Sequence, residues 1–189
     1  MRMFLRKSHV QRDPLAVTMS GVRLGERALQ IGEGATRVMA LIAARTGLTG
    51  RAAIVVLDEP SAARVRRAVE DAGALSDVGV VDHGASPEDA AFDVIVLHDV
   101  RRTIAASNEK VRAGWLQLCQ RTLRDGGRIV TIEPGAPVGW RAWFGGSSRR
   151  EPDGRTRASE TALVSAGFKN IRVLADREGL RFIEALKID

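Results

Sequence analysis

The chain has one cysteine in 189 residues, Cys119, which excludes an intrachain disulfide and a cluster of thiolate metal ligands. It has no tyrosine, and aromatic residues make up only 4% of it, so few rings can serve as stacking platforms for single-stranded nucleic acid. No apolar run approaches the roughly 18 residues of a membrane span. The basic start, Met1-Arg2-Met3-Phe4-Leu5-Arg6-Lys7, lacks the apolar stretch and small-residue cleavage site of a signal peptide. Long blocks of one charge are also missing, because arginine comes in pairs: Arg66-Arg67, Arg101-Arg102, Arg149-Arg150. A net charge of +6 and a pI near 10.6 would suit a polyanionic partner, but scattered pairs read first as solvated faces. What these absences leave is a cytoplasmic protein with no metal site and no expected DNA partner.

The 44% hydrophobic content and 28% charge suffice for one packed domain. No repeat or boundary divides residues 1–189, and residues 1–12 read as a loose polar lead-in. Asp13-Pro14 starts a short helix through Leu15, Val17 and Met19 that stops near Gly21. The apolar stretch Ala28-Leu29-Gln30-Ile31 then ends in Gly32-Glu33-Gly34, and a helical face of Val38, Met39, Leu41, Ile42 and Ala43 opens at Thr36. Strand, tight glycine turn and helix N-terminus make the arrangement in which an α/β domain brings backbone close to a nucleotide.

Four more strands alternate with helices. Ala53–Leu57 ends in Asp58-Glu59, with Pro60-Ser61 opening a helix; Val78–Val81 follows, and Phe92–Leu97 ends in His98-Asp99. A helix over Asn108–Arg124 turns Val111, Trp115, Leu116, Leu118 and Leu123 inward, Asp125-Gly126-Gly127 stops it, and Arg128–Glu133 is the fifth strand. This alternation means right-handed crossovers and a parallel sheet. Residues 134–156, rich in glycine and proline, read as a long irregular lid-like loop. Arg157–Ala166 is a last helix, and Ile171–Leu174 with Leu180–Ala185, joined across Asp176-Arg177-Glu178-Gly179, form an antiparallel hairpin.

In order, Leu29-Gln30-Ile31-Gly32-Glu33-Gly34, Asp58, Phe92-Asp93-Val94-Ile95-Val96, Leu123-Arg124-Asp125-Gly126-Gly127-Arg128 and Gly167-Phe168 resemble the motifs of class I S-adenosylmethionine-dependent methyltransferases. The similarity runs from about Asp13 to Lys187 and is nearest the ubiquinone/menaquinone methyltransferase-like group (methyltransferase domain type 11). It implies a Rossmann-like, doubly wound α/β fold. The implied sheet has seven strands in the order 3-2-1-4-5-7-6, mostly parallel with the last strand antiparallel, and helices on both faces.

The resemblance also implies a site. S-adenosylmethionine would lie beyond the strand tips, where strand order reverses, against Gln30, Gly32, Glu33 and Gly34. Asp58 would take the ribose hydroxyls, with Glu59 a weaker contact; the alternative for Asp58 is a cap on the Pro60 helix. Asp82, with His83, would meet the adenine amino group. His98 and Asp99 would face donor and acceptor, and His98 is the candidate base; otherwise it is a satisfied buried histidine. The acceptor is expected to be a small molecule, apolar or quinone-like. The run Trp140-Arg141-Ala142-Trp143-Phe144 would close over it or touch a membrane surface, or else simply cover the sheet edge.

Two residues depart from the family's pattern: Gln30 stands for its acid and Thr36 for a third glycine. They support an alternative, a catalytically weakened or inactive binding domain. A second alternative, prompted by the charge, is an RNA methyltransferase; against it, His98-Asp99-Val100 stands where an Asn/Asp-Pro-Pro-aromatic motif would be expected.

Overall fold

The computed structural model describes residues 14–81, 87–104, 107–135 and 154–188, the last range without the side chains of 154–157. Asp13, Asp82, His83 and the Trp140–Phe144 run lie outside the described residues. In chain order the elements are α1 (Leu15–Met19), β1 (Arg27–Glu33), α2 (Thr36–Arg45), β2 (Arg51–Val56), α3 (Glu59–Asp71), β3 (Ser76–Val80), β4 (Phe92–Asp99), α4 (Glu109–Thr122), β5 (Leu123–Pro134), α5 (Gly154–Ser165), β6 (Lys169–Arg177) and β7 (Leu180–Leu186). The strands form a seven-stranded sheet in the order β3-β2-β1-β4-β5-β7-β6, as the resemblance implied. β1 to β5 pair in parallel, while β7 runs antiparallel to both its neighbours.

Strand period 2 sorts the side chains onto two covered faces. Val94 and Val96 point toward α1 and α2, packing with Val17, Ile42, Ile132 and Phe182. Ile95 and Leu97 point the other way, joining Leu116 and Cys119 of α4 and Leu163 of α5. The α2–α3 side is completed by Met39, Val65 and Val69 over Ile54 and Val56. Both faces of β1 and β4 are therefore covered, which is why Val94–Leu97 and, but for Gln30, Ala28–Ile31 read as apolar runs. Cys119 is wholly buried in this core, and burial pushes its thiol up to about 12.

The expected helices and strands are all present, with corrections; the expected lead-in 1–12 and residues 136–153 of the expected lid-like loop lie outside the described residues, and 154–156 belong to α5 rather than to that loop. Val111 does not turn inward: it is 44% exposed, one position past the face that α4 buries. The helix α4 ends at Thr122, and Asp125-Gly126-Gly127 is not a stop but a bulge inside β5. Phe92 pairs with Leu123 and Val94 with Arg128, so the extra residues loop out on one strand. The bulge is held from both sides, by Arg124 Nε on Asp93 Oδ1 at 2.5 Å and by paired backbone bonds to Lys187 at 2.9 Å each. Gly126 has φ +73 there, a conformation that glycine adopts without strain. No helix among the described residues is long and apolar enough to cross a membrane.

Candidate functional site

The tips of β1, β2 and β4 meet where strand order reverses, and the register puts Gly32 beside His98 and Glu33 beside Asp99. Beyond them lies a cavity of about 260 Å³ lined by the whole Gly32–Thr36 turn, by Met39, Val56 and Val65, and by Ser61, Arg64 and Arg101. The N-cap of α2 is Ala35, which offers no side-chain acceptor, so the first amides of α2 open on this cavity uncapped. By contrast the N-terminus of α3 is closed by Asp58, whose Oδ1 accepts from Ser61 N at 2.6 Å.

Beneath the turn lies a buried polar chain. The Gln30 amide nitrogen donates to the Met39 carbonyl at 2.8 Å, which can only accept, so the amide oxygen must face His98. His98 Nε2 lies 3.0 Å from that oxygen and therefore carries the ring hydrogen. Its Nδ1 faces Gly34, where an added Cβ would stand 2.6 Å away, and a Cβ on Gly32 would collide with the His98 carbonyl oxygen. Both glycines are thus required by the protein's own packing. Burial pushes the His98 imidazole down to about 4, so the ring is neutral at pH 7.

The residues expected at the site divide accordingly. Gly32, Glu33 and Gly34 line the cavity, with Glu33 3.8 Å from Arg101. Gln30 does not: it is fully buried and acts as a strut between α2 and His98. His98 is 2% exposed and pairs with Gln30 rather than standing open to an acceptor. Asp58 is exposed and caps α3, and its hydrogen bonds to Ser61 hold its carboxyl below the usual range. Glu59 pairs with Arg66 at 2.5 Å. Asp99 is 7% exposed; its Oδ1 accepts from Ile104 N at 2.9 Å, shaping the loop after β4.

Sequence reasoning missed two groups. Ser61, Arg64 and Arg101 line the cavity although no motif marked them. On the other face, Thr131 and Glu133 bring polar groups into a layer that Ile129 begins as apolar core, and that break in an alternating strand was a visible signal. Glu133 is 9% exposed, accepts from Ser159 Oγ at 2.7 Å and stands 3.9 Å from Arg181; burial raises its carboxyl above the ordinary range.

The group the fold family implies is S-adenosylmethionine, and the cavity's chemistry fits it. Uncapped amides at the start of α2 suit its carboxylate, the Glu33 carboxylate suits its ammonium, and Met39, Val56 and Val65 offer an apolar wall for its base. Among the described residues no group of His, Cys, Asp and Glu is placed to hold a metal ion.

No family model matches this chain, and no curated protein does. Solved structures do. One is a SAM-dependent methyltransferase from Aquifex aeolicus, at 15% identity and TM-score 0.65, covering 91% of this chain and 87% of that one. Another is a SAM-dependent O-methyltransferase from Thermotoga maritima, at 16% identity and TM-score 0.67, covering 92% of this chain and 63% of that one. A third is a 16S rRNA methyltransferase from T. thermophilus in complex with AdoMet and guanosine, at 18% identity and TM-score 0.58, covering 95% of this chain and 40% of that one. The chain thus spans less than two thirds of the latter two proteins. What these likenesses establish is the Rossmann-like methyltransferase fold.

Proposed function

We propose that this chain is an S-adenosylmethionine-dependent methyltransferase that binds its donor above the Gly32–Gly34 turn and acts on a small, apolar or quinone-like acceptor. The observation that carries the reading is the uncapped N-terminus of α2 opening on a cavity at the strand-order reversal. Bound there, the donor supplies an electrophilic methyl group on sulfonium. The chain's own residues would orient it: the α2 amides would take the carboxylate, Glu33 the ammonium, and Asp58, joined to the cavity-lining Ser61, the ribose hydroxyls. Methyl transfer needs the acceptor in line and little else, so a neutral, buried His98 is no obstacle. Its work is to hold the turn, with Gln30, in one shape.

Calorimetric titration tests this. S-adenosylmethionine and S-adenosylhomocysteine should both bind below millimolar concentration, and Asp58→Ala should weaken them about tenfold, as expected for lost bonds to a carboxylate. No binding of either ligand would end the proposal, and an unchanged affinity would remove Asp58 from the ribose role.

A binding domain without turnover is the second reading, and the buried chain favours it. Gln30 is turned inward, Asp58 already caps a helix, and both glycines are accounted for by His98. Donor binding with no methyl transfer across an acceptor panel would establish it. An RNA acceptor would announce itself as affinity falling steeply with salt.

A further inference from the structure

A cavity of about 390 Å³ lies between α4 and α5, lined by Ala113, Leu116, Ala162 and Ala166 and also by the polar Gln117 and Thr161, with the Glu109 carboxylate one turn before Arg112. It shares Arg112, Leu116 and Ala162 with a second space of about 50 Å³, which reaches the ends of β4 and β5 and is floored by Asp99, Thr131 and Glu133. Three residues in common make the two a cleft with a polar floor. Neither space touches the Gly32–Thr36 turn.

Two groups in this cleft want a partner. Thr131 is 7% exposed, and its hydroxyl has no hydrogen-bond partner among the described residues. A buried hydroxyl so placed ordinarily has one. Arg112 is half-buried where the two spaces join, and among the described residues its guanidinium makes no hydrogen bond or ion pair. Arginine presents a planar fork that matches a carboxylate. The floor, by contrast, carries the carboxylates of Asp99 and Glu133, which repel an anion and accept from a donor. Because Arg181 stands 3.9 Å from Glu133, the floor does not require a cation either. Its 50 Å³ exceeds the ~10–15 Å³ that one water needs but leaves no room for a ring.

We propose that the α4–α5 cleft is a binding site for a small amphiphilic acid. Its apolar body lies between the helices, its carboxylate meets Arg112, and its hydroxyl reaches the floor at Thr131 and Glu133. Such a molecule would be a natural methyl acceptor, but the binding claim stands apart from the methyl-transfer reading, and its assay contains no methyl donor.

The probes are 3-phenyllactate, whose hydroxyl stands beside its carboxylate so that the ring stays between the helices, and 3-phenylpropionate, which lacks the hydroxyl, titrated into the full chain by calorimetry and by amide spectra. The hydroxylated probe should bind with shifts at Leu116, Thr131 and Ala162, about tenfold tighter than its analogue. Arg112→Gln should weaken both probes about tenfold, and Thr131→Val should erase the difference between them. No saturable binding of either probe by the native chain, shifts confined elsewhere, or unchanged affinity in Arg112→Gln would overturn the proposal. Failure of S-adenosylhomocysteine binding would leave these outcomes untouched, and the reverse also holds.

Discussion

Acidification should destabilise this protein through His98. The ring is 2% exposed, its Nε2–H is committed to Gln30, and its Nδ1 faces Gly34. Burial pushes the group from 6.5 to about 4. The unfolded chain therefore binds a proton below pH 6.5 that the folded chain refuses until about pH 4. Stability contributed by the neutral ring is complete above pH 6.5 and is lost progressively as pH falls toward 4. At about 1.4 kcal/mol per unit, that gap amounts to about 3 kcal/mol, a large part of an ordinary domain's stability. The assay is urea unfolding at pH 7.5, 6, 5 and 4.5, on the native chain and on His98→Gln. The native chain should lose about 2.5 kcal/mol more across this window than the variant does, the rest of the gap lying below pH 4.5, since carboxylate contributions are common to both. Parallel loss in the two proteins, or a native His98 that titrates near 6.5 by NMR, would refute the reasoning.

The remaining predictions concern the same frame. Gln30→Glu puts a charge opposite His98 Nε2, so the imidazole should titrate at higher pH than in the native chain, readable from ring carbon shifts. Gly32→Ala meets both a φ of +100 and the His98 backbone carbonyl, which cannot yield; chemical denaturation should show a loss of about 3 kcal/mol. Arg128 joins Glu26 through both nitrogens at 2.9 and 2.8 Å and also reaches the Gly21 carbonyl, with each charged side chain under one-fifth exposed. Arg128→Ala strands Glu26 and should cost about 2 kcal/mol in the same measurement.

The sheet was legible because its signals are local and repeated: apolar runs for β1, β2 and β4, and glycines in most of the turns between elements. Strand order came from the resemblance, and the pairing bears it out. The start of β5 was not legible, because Asp125-Gly126-Gly127 is chemically a stop signal. Partners distant in sequence, Asp93 on β4 and Lys187 from the far end of the chain, make it a bulge. Gln30 was visible as a polar residue in an apolar strand, but its partner lies 68 residues away, and no local pattern reports that. The ambiguity at Asp58 was also physical: a carboxylate after a strand and before Pro60 suits a ribose and a helix cap equally, and the structure shows the cap. Glu133 and Thr131 were legible in principle from alternation, yet their meaning depends on α5 closing over them.

The proposed methyl-donor site is the cavity above Gly32–Gly34. Following the backbone amides of the isotope-labelled chain while S-adenosylhomocysteine is added tests it. Saturable shifts should be concentrated at Gly32, Gly34, Thr36 and Ser61. Saturation without movement there, or with movement only in the α4–α5 cleft, would contradict it.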